Sequence, residues 1–523
     1  MTWKNCVPLS LALLLALTLS FLPAPTLADE PATKAATTEK AKEHDKDKDK
    51  DEKKAPQDKV SRTQHSITLG GQKIAYTATA GTLVLADEEG KAKASFFYIA
   101  YTKDGVKDPR ERPVTFSYNG GPGAAALWVN IGAFGPKRVE MTADGMPLPP
   151  PARLVDNEDS ILDATDIVFI DPIATGYSRP APGESVKDFT GFKNDIESMG
   201  AFIRLWLTRS SRWASPKFLA GESYGTTRSA ALASHLQERY GLDLNGIVLV
   251  SAVLNWGDFI ADTGNDLPFM MYLPTYTAAA WYHKKLPPEL AGDLRHTLDE
   301  VQEFALHDYA LALLEGDRLP AAKRHEIATR VARYTGLSVD YVERANLRID
   351  HEHFAKELLR DQGKTIGRID SRFTGRDRNG IGEVYEFDPS ITGLDGPYVA
   401  AMNDYVRREL GFETDLIYER LSEKVWPWAF PEGQYLNVSE PLRLAMMKNP
   451  SLQVLIASGY YDMATPFFDG IYTMAHMGLP ESDRHRVHQT LYEAGHMMYI
   501  RPLDHVKLHK DMVEFIKGAV PGK

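Results

Sequence analysis

Residues 221–225 read Gly-Glu-Ser-Tyr-Gly, a G-x-S-x-G pattern whose serine acts as a nucleophile when the chain bends sharply at it. An apolar stretch, 217–220, runs into the pattern, and a helical one, 226–240, leaves it. That setting strains the backbone at Ser223 and lifts its hydroxyl beyond the strand ends, over a helix N-terminus. A serine hydroxyl is a poor nucleophile at neutral pH. It needs a base, and the base needs a carboxylate to orient it. At such sites the chain order is serine, acid, histidine. Asp462, just past the apolar stretch 453–457, and His496, in Ala-Gly-His-Met before the helical stretch 503–516, meet that order. Asp469 falls seven residues deeper, where a helix is expected to have begun. His476, His485, His488, His505 and His509 lack the strand–loop–helix setting and are expected at the surface. Acyl transfer also needs donors for the developing oxyanion. One should be the backbone N–H of Tyr224. The second should come from the loop 119–123, Asn-Gly-Gly-Pro-Gly, whose missing β-carbons let backbone approach a substrate.

Positioning these groups takes a sheet. Short alternating apolar stretches between 67 and 97, broken at Gly70-Gly71, Gly81 and Glu89-Gly90, predict hairpins. Beyond them, 113–118, 166–171, 217–220, 246–253 and 453–457 are apolar runs separated by helical patterns, as in a parallel sheet covered on both faces. Between about 257 and 436 the pattern turns mostly helical, with three- and four-residue apolar spacing at 298–314, 321–334 and 399–410. An insert of that size between two sheet strands predicts a cap over the strand ends. The expected organisation is a core in two parts, 61–256 and 437–523, around a cap at 257–436.

The 523 residues carry 60 basic and 71 acidic side chains, net −11, and 43% are hydrophobic. A sizeable core is within reach, and no basic excess exists to hold nucleic acid or an anionic membrane. Cys6 is the only cysteine, which excludes a disulfide framework and a thiolate-ligated metal cluster. Residues 1–28 read as a secretory signal: Lys4, an apolar run over 9–22, then Thr26-Leu27-Ala28 as a cleavage site. The run is too short to span a bilayer, so no stable membrane insertion is expected. Export without cysteine suggests a bacterial envelope, periplasmic or extracellular. Residues 29–60 hold ten acids and nine lysines with Val60 as the only large aliphatic residue, the composition of a solvated, disordered tether.

Four motifs, Asn119-Gly120-Gly121-Pro122-Gly123, Gly221-Glu222-Ser223-Tyr224-Gly225, Gly459-x-x-Asp462 and Gly495-His496-Met497, together resemble the serine carboxypeptidase family. The resemblance implies an α/β-hydrolase fold with a helical cap insertion, cleaving the last residue from a peptide. Ser223 would be the nucleophile, His496 the base and Asp462 its partner, with Gly121 and Tyr224 as oxyanion donors. Asn119, Gly120 and Glu222 would bind the substrate's terminal carboxylate. Two carboxyl groups in contact cannot both be ionised cheaply, so Glu222 would share a proton with the substrate and binding would be strongest in acid. In the family, a tryptophan two residues before the asparagine and a second glutamate before a Gly-Pro support this clamp. Here those positions are Ser117 and Ala133, and the cysteine that usually follows the glycine-rich loop is Ala124.

The expected activity is therefore that of an exported serine carboxypeptidase acting through an acyl-enzyme on Ser223. An esterase or acyltransferase using the same triad is the alternative. Peptides are the expected partners, without nucleic acid, and no motif assigns an oligomeric state. No cofactor or metal is expected: His351-Glu352-His353 would point apart on a surface helix, without the His-x-x-x-His spacing of a zinc site. Trp281-Tyr282 and Trp426-Pro427-Trp428 are candidates for an apolar substrate pocket.

Overall fold

The computed structural model describes residues 56–520. The expected leader, 1–28, and the charged stretch to residue 55 lie outside the described residues. The main sheet is built from β1 (Val60–Leu69), β2 (Gln72–Ala86), β3 (Ala92–Lys103), β4 (Val114–Tyr118), β5 (Asp166–Ile170), β6 (Lys217–Glu222), β7 (Gly246–Val250), β8 (Gln453–Gly459) and β9 (Val487–Tyr492). Their spatial order is β1-β2-β3-β5-β4-β6-β7-β8-β9, with the short strand Arg179–Pro180 on β3. The first three pair antiparallel, and β3 meets β5 antiparallel. From β5 onward every pair is parallel. This is the expected α/β-hydrolase architecture.

The central strands read as continuous apolar runs because both faces are covered. Phe218, Ala220, Val248 and Val250 enter one apolar cluster. Leu219, Ile247 and Leu249, one residue out of step, enter the other. Helices α1 (Phe192–Arg209) and α2 (Tyr224–Tyr240) lie on that second face through Phe202, Leu232 and Leu236.

Two expectations about the first hairpins change. Gly81 does not break a strand: β2 runs through it, and a β-carbon there would lie 2.8 Å from Lys59 O. A glycine inside a strand here marks close approach of another chain segment. The tether composition extends to residue 60, yet β1 begins at Val60. Asp58 already accepts the Val84 N–H at 2.8 Å, and Lys59 O accepts the Thr82 N–H at 2.7 Å.

Between 257 and 436, Leu267–Tyr282, Leu294–Phe304, Ala321–Thr335, Val339–Arg344 and His351–Glu357 are helices. They share a third apolar cluster with Tyr460, Tyr461 and Phe467, which follow β8. The segment is not helical throughout. Thr365–Ile366 pairs antiparallel with Thr374–Gly375, strands too short to show a period of two, and the residues between them form a strap. Helix Pro389–Arg408 starts well before the apolar spacing at 399. Proline suits a first helical turn, and the Asp388 carboxylate caps it by accepting the Ser390 N–H at 2.9 Å. Tyr398, Met402 and Tyr405 of this helix join the cluster that holds Phe97 and Tyr101.

Candidate active site

Ser223 stands between β6 and α2 with φ 60° and ψ −131°, a strained conformation for a residue with a side chain. Its N–H donates to Val250 O at the end of β7 at 3.0 Å, and its carbonyl accepts from the Thr226 N–H at 2.7 Å. Close packing makes glycine obligatory around it. A β-carbon on Gly221 would come 2.1 Å from Gly225 O, and one on Gly120 would come 2.4 Å from Tyr224 N. The glycine-rich loop therefore lies directly against the turn at Ser223. Gly121, at φ +99°, occupies backbone space that L side chains rarely adopt. Tyr224 is the first residue of α2, so its N–H has no acceptor within the helix.

Asp462 and His496 meet. His496 Nδ1 lies 2.7 Å from Asp462 Oδ2, and both residues are buried. A carboxylate only accepts, so Nδ1 carries the proton and Nε2 is the nitrogen left with a free lone pair. Asp462 Oδ1 also accepts the N–H groups of Ala464 (2.8 Å) and Thr465 (3.0 Å), while Oδ2 accepts the Thr465 hydroxyl (2.8 Å). Burial works to lower the His496 pKa, but the charge and hydrogen bond of Asp462 outweigh it and hold the imidazole above its ordinary value. The two loops can touch because of glycine: a β-carbon on Gly459 would lie 2.2 Å from Gly495 O. The Ser251 hydroxyl donates to His496 O at 2.7 Å, and the His496 N–H donates to Ile369 O of the strap at 2.8 Å. Ser223 and His496 line one cavity of about 830 Å³. No hydrogen bond joins the Ser223 hydroxyl to the imidazole among the described residues, and such contacts tighten when substrate binds.

Asn119, Gly120, Gly121, Glu222 and Tyr224 line the same cavity. Glu222 is 4% exposed. Its Oε1 accepts from Asn119 Nδ2 at 2.7 Å and its Oε2 from the Tyr499 hydroxyl at 2.6 Å. Burial pushes its pKa up to about 7, against the opposing pull of His496, Tyr499 and Asn119. Tyr499 was not singled out by sequence reasoning; it lies three residues past His496, in a turn that carries no motif. Ser117 is buried, and among the described residues its hydroxyl has no hydrogen-bond partner. Ala133 gives its carbonyl to Asn157 Nδ2 and to His505 Nε2. His505 is thus buried, not at the surface, because it shares the inward face of helix Pro502–Gly518 with Leu508 and Met512.

Asp195 and Arg228 were equally invisible in sequence. They form a buried pair at 2.8 Å, Arg228 Nη1 donates to Asn119 O at 2.8 Å, and the Tyr224 hydroxyl donates to Asp195 at 3.0 Å. Asp469 sits in helix Phe467–His476 and receives the Thr473 hydroxyl, which also bonds Asp258. Of the candidate aromatics, Trp426 lines the cavity and Trp428 packs on Tyr224, whereas Trp281 and Tyr282 do not line it. His351 stacks on Tyr272 (centroids 5.5 Å apart) and so is less exposed than a surface helix predicts.

A sequence model of the serine carboxypeptidase family matches residues 72–363, more than half of the chain. The chain belongs to the serine carboxypeptidase family. The matched span includes Ser223, while Asp462 and His496 lie beyond it and are placed by geometry. Serine carboxypeptidase-like 44 of Arabidopsis thaliana is 28% identical over 199 residues, 35% of this chain and 38% of that protein. Carboxypeptidase Y homolog A of Chaetomium globosum is 26% identical over 161 residues, 30% of this chain and 26% of that protein. The aligned sequence thus spans well under half of these family members. A solved structure of Kex1(delta)p, a prohormone-processing carboxypeptidase from Saccharomyces cerevisiae, matches with a TM-score of 0.53 at 16% identity, over 85% of this chain and 91% of that one, which establishes the shared fold.

Proposed function

We propose that the chain is an exported serine carboxypeptidase that releases C-terminal residues from peptides through an acyl-enzyme on Ser223. The observation that carries this reading is the pairing of a nucleophile cluster with a buried, neutralisable carboxyl in one cavity. In this reading Ser223 Oγ attacks the scissile carbonyl carbon while its proton passes to His496 Nε2. The backbone N–H groups of Gly121 and Tyr224 take the oxyanion. Collapse breaks the C–N bond, with the same proton going to the leaving amine. Water then attacks the ester, its proton passing to His496, and Ser223 is regenerated. Asn119, Gly120 and Glu222 hold the terminal carboxylate, with Glu222 and the substrate sharing one proton. Because the Glu222 pKa is about 7, that proton is retained in mild acid and lost above neutrality. The cap at 257–436, inserted between core parts 61–256 and 437–523, covers the strand ends. Among the described residues no helix is long and apolar enough to cross a membrane, and export rests on the leader-like residues 1–28.

An esterase or acyltransferase is favoured by one observation: Ser117 and Ala133 stand where the family's clamp-supporting tryptophan and glutamate would be. Turnover of N-blocked dipeptides with free C-termini, their amides and simple esters separates the two readings. The carboxypeptidase reading expects free-acid dipeptides to be cleaved and amidated ones to be poor; turnover of esters alone would contradict it.

A further inference from the structure

The strap between Thr365–Ile366 and Thr374–Gly375 brings an arginine to the cavity. Arg368 O accepts the Met463 N–H at 3.0 Å, next to Asp462, and the following carbonyl, of Ile369, accepts the His496 N–H at 2.8 Å. Arg368 N–H is spent on Asp388 at 3.3 Å. The backbone is therefore fixed on both sides of the catalytic pair, and the half-buried Arg368 lines the cavity that holds Ser223.

Among the described residues, no carboxylate or carbonyl engages the Arg368 guanidinium. The contrast with its neighbours is sharp. Arg420, the other arginine on the cavity wall, pairs with Asp395 at 2.8 Å, and Arg372, four residues along the strap, pairs with Asp370. An arginine usually satisfies its fork of donors with a carboxylate when one is within reach. Arg368 also borders a side cavity of about 240 Å³ with Phe259, Tyr272, His351 and Ala464. Asp350 lines that side cavity too, but its carboxylate is occupied in capping helix His351–Glu357, accepting from Glu352 and His353. None of Asn119, Gly120 and Glu222 borders the side cavity. Arg368 therefore shares the main cavity with the cluster assigned to the terminal carboxylate and alone of these residues also borders the side cavity.

We infer that Arg368 is a specificity-determining residue that receives an acidic side chain on the acyl side of the scissile bond, so that peptides with aspartate or glutamate before the released residue are preferred. The inference rests on reading the cavity as an acyl-transfer site. An uncharged side chain at the same position leaves the guanidinium without a partner, and a lysine or arginine there is repelled.

N-blocked Glu-Phe and Gln-Phe, as free acids and as amides, test this at pH 6, where a glutamate side chain is ionised. Wild type should favour Glu-Phe over Gln-Phe in kcat/KM by at least about tenfold, the scale of a charge-assisted pair. That ratio should fall to about one in Arg368→Gln and partly return in Arg368→Lys, while the free-acid-to-amide ratio holds in all three. A wild-type ratio of one overturns the inference. So does an Arg368→Gln variant that keeps the Glu-to-Gln ratio but loses the free-acid preference, since Arg368 would then hold the terminal carboxylate. If no dipeptide is cleaved, the carboxypeptidase reading fails on its own. Calorimetry of N-blocked glutamate and glutamine on Ser223→Ala then judges Arg368: tighter glutamate binding that vanishes in Ser223→Ala/Arg368→Gln upholds it, and equal binding overturns it.

Discussion

Two carboxyl groups flank His496, and their surroundings are opposite. Asp462 is ringed by four donors: two backbone N–H groups, a hydroxyl and the imidazole N–H. Glu222, equally enclosed, has among the described residues only an amide and a phenol as donors, and burial pushes its pKa up to about 7. Hydrogen bonds to a charged form stabilise it, and desolvation without enough of them does the reverse. The same functional group is thus ringed by donors on one side of the site and pushed toward its neutral form by burial on the other.

The comparison breaks most visibly at Asp462. Asp462→Asn puts an amide where Nδ1 needs an acceptor, favouring the wrong tautomer, so kcat should fall about 10⁴-fold for peptides and esters alike. Steady-state kinetics with an ester substrate and a calibrated active-site titration would show it; a fall under tenfold would remove Asp462 from the role assigned to it.

A third carboxylate sharpens the contrast, because Asp195 is neutralised by a full charge on Arg228. Asp195→Ala leaves that charge buried beneath Asn119 and Tyr224 and should cost about 3–5 kcal/mol of folding stability. Urea unfolding monitored by tryptophan fluorescence measures it.

Glu222→Gln acts on binding. For C-terminally free peptides, wild-type kcat/KM should fall as pH rises through about 7, because the raised pKa means that the shared proton leaves there. On the acid side it should fall as His496 gains a proton. The amide keeps a donor at every pH, so in Glu222→Gln the alkaline fall should flatten, with KM raised about tenfold in acid, where wild type shares a proton with the substrate and the variant cannot. Amidated peptides should show no alkaline fall in either protein.

The smallest effect is expected from Tyr499→Phe. The phenol favours ionised Glu222, so its loss should move the alkaline fall to higher pH and change kcat/KM only a few-fold at pH 6. A downward move would contradict the assignment of Tyr499 as a donor to the carboxylate.

What the sequence disclosed about this site follows from which contacts are local. Ser223, Asp462 and His496 were readable because each stands beside glycines forced by close packing, at 221, 459 and 495, and glycine leaves a mark in spacing. Thr465 and Tyr499 touch the same carboxyl groups but sit in turns with no periodic or steric signature. Asp195 and Arg228 lie inside helical patterns, where a charged residue reads as solvent-facing until tertiary packing buries it. The core strands were legible from their unbroken apolar runs. The two-residue strands of the strap were not, since no period can be counted in them, and with them went the placement of Arg368. Gly81 misled for a related reason: a hairpin break and a close chain crossing both select glycine.

The central claim is that Ser223 becomes acylated with His496 as its base. Wild type mixed with a slowly deacylating p-nitrophenyl ester, quenched in acid and mapped by peptide mass spectrometry, should carry one acyl group on the peptide containing Ser223, and His496→Ala should carry none. An adduct on another residue, or undiminished ester turnover by Ser223→Ala, would contradict the account.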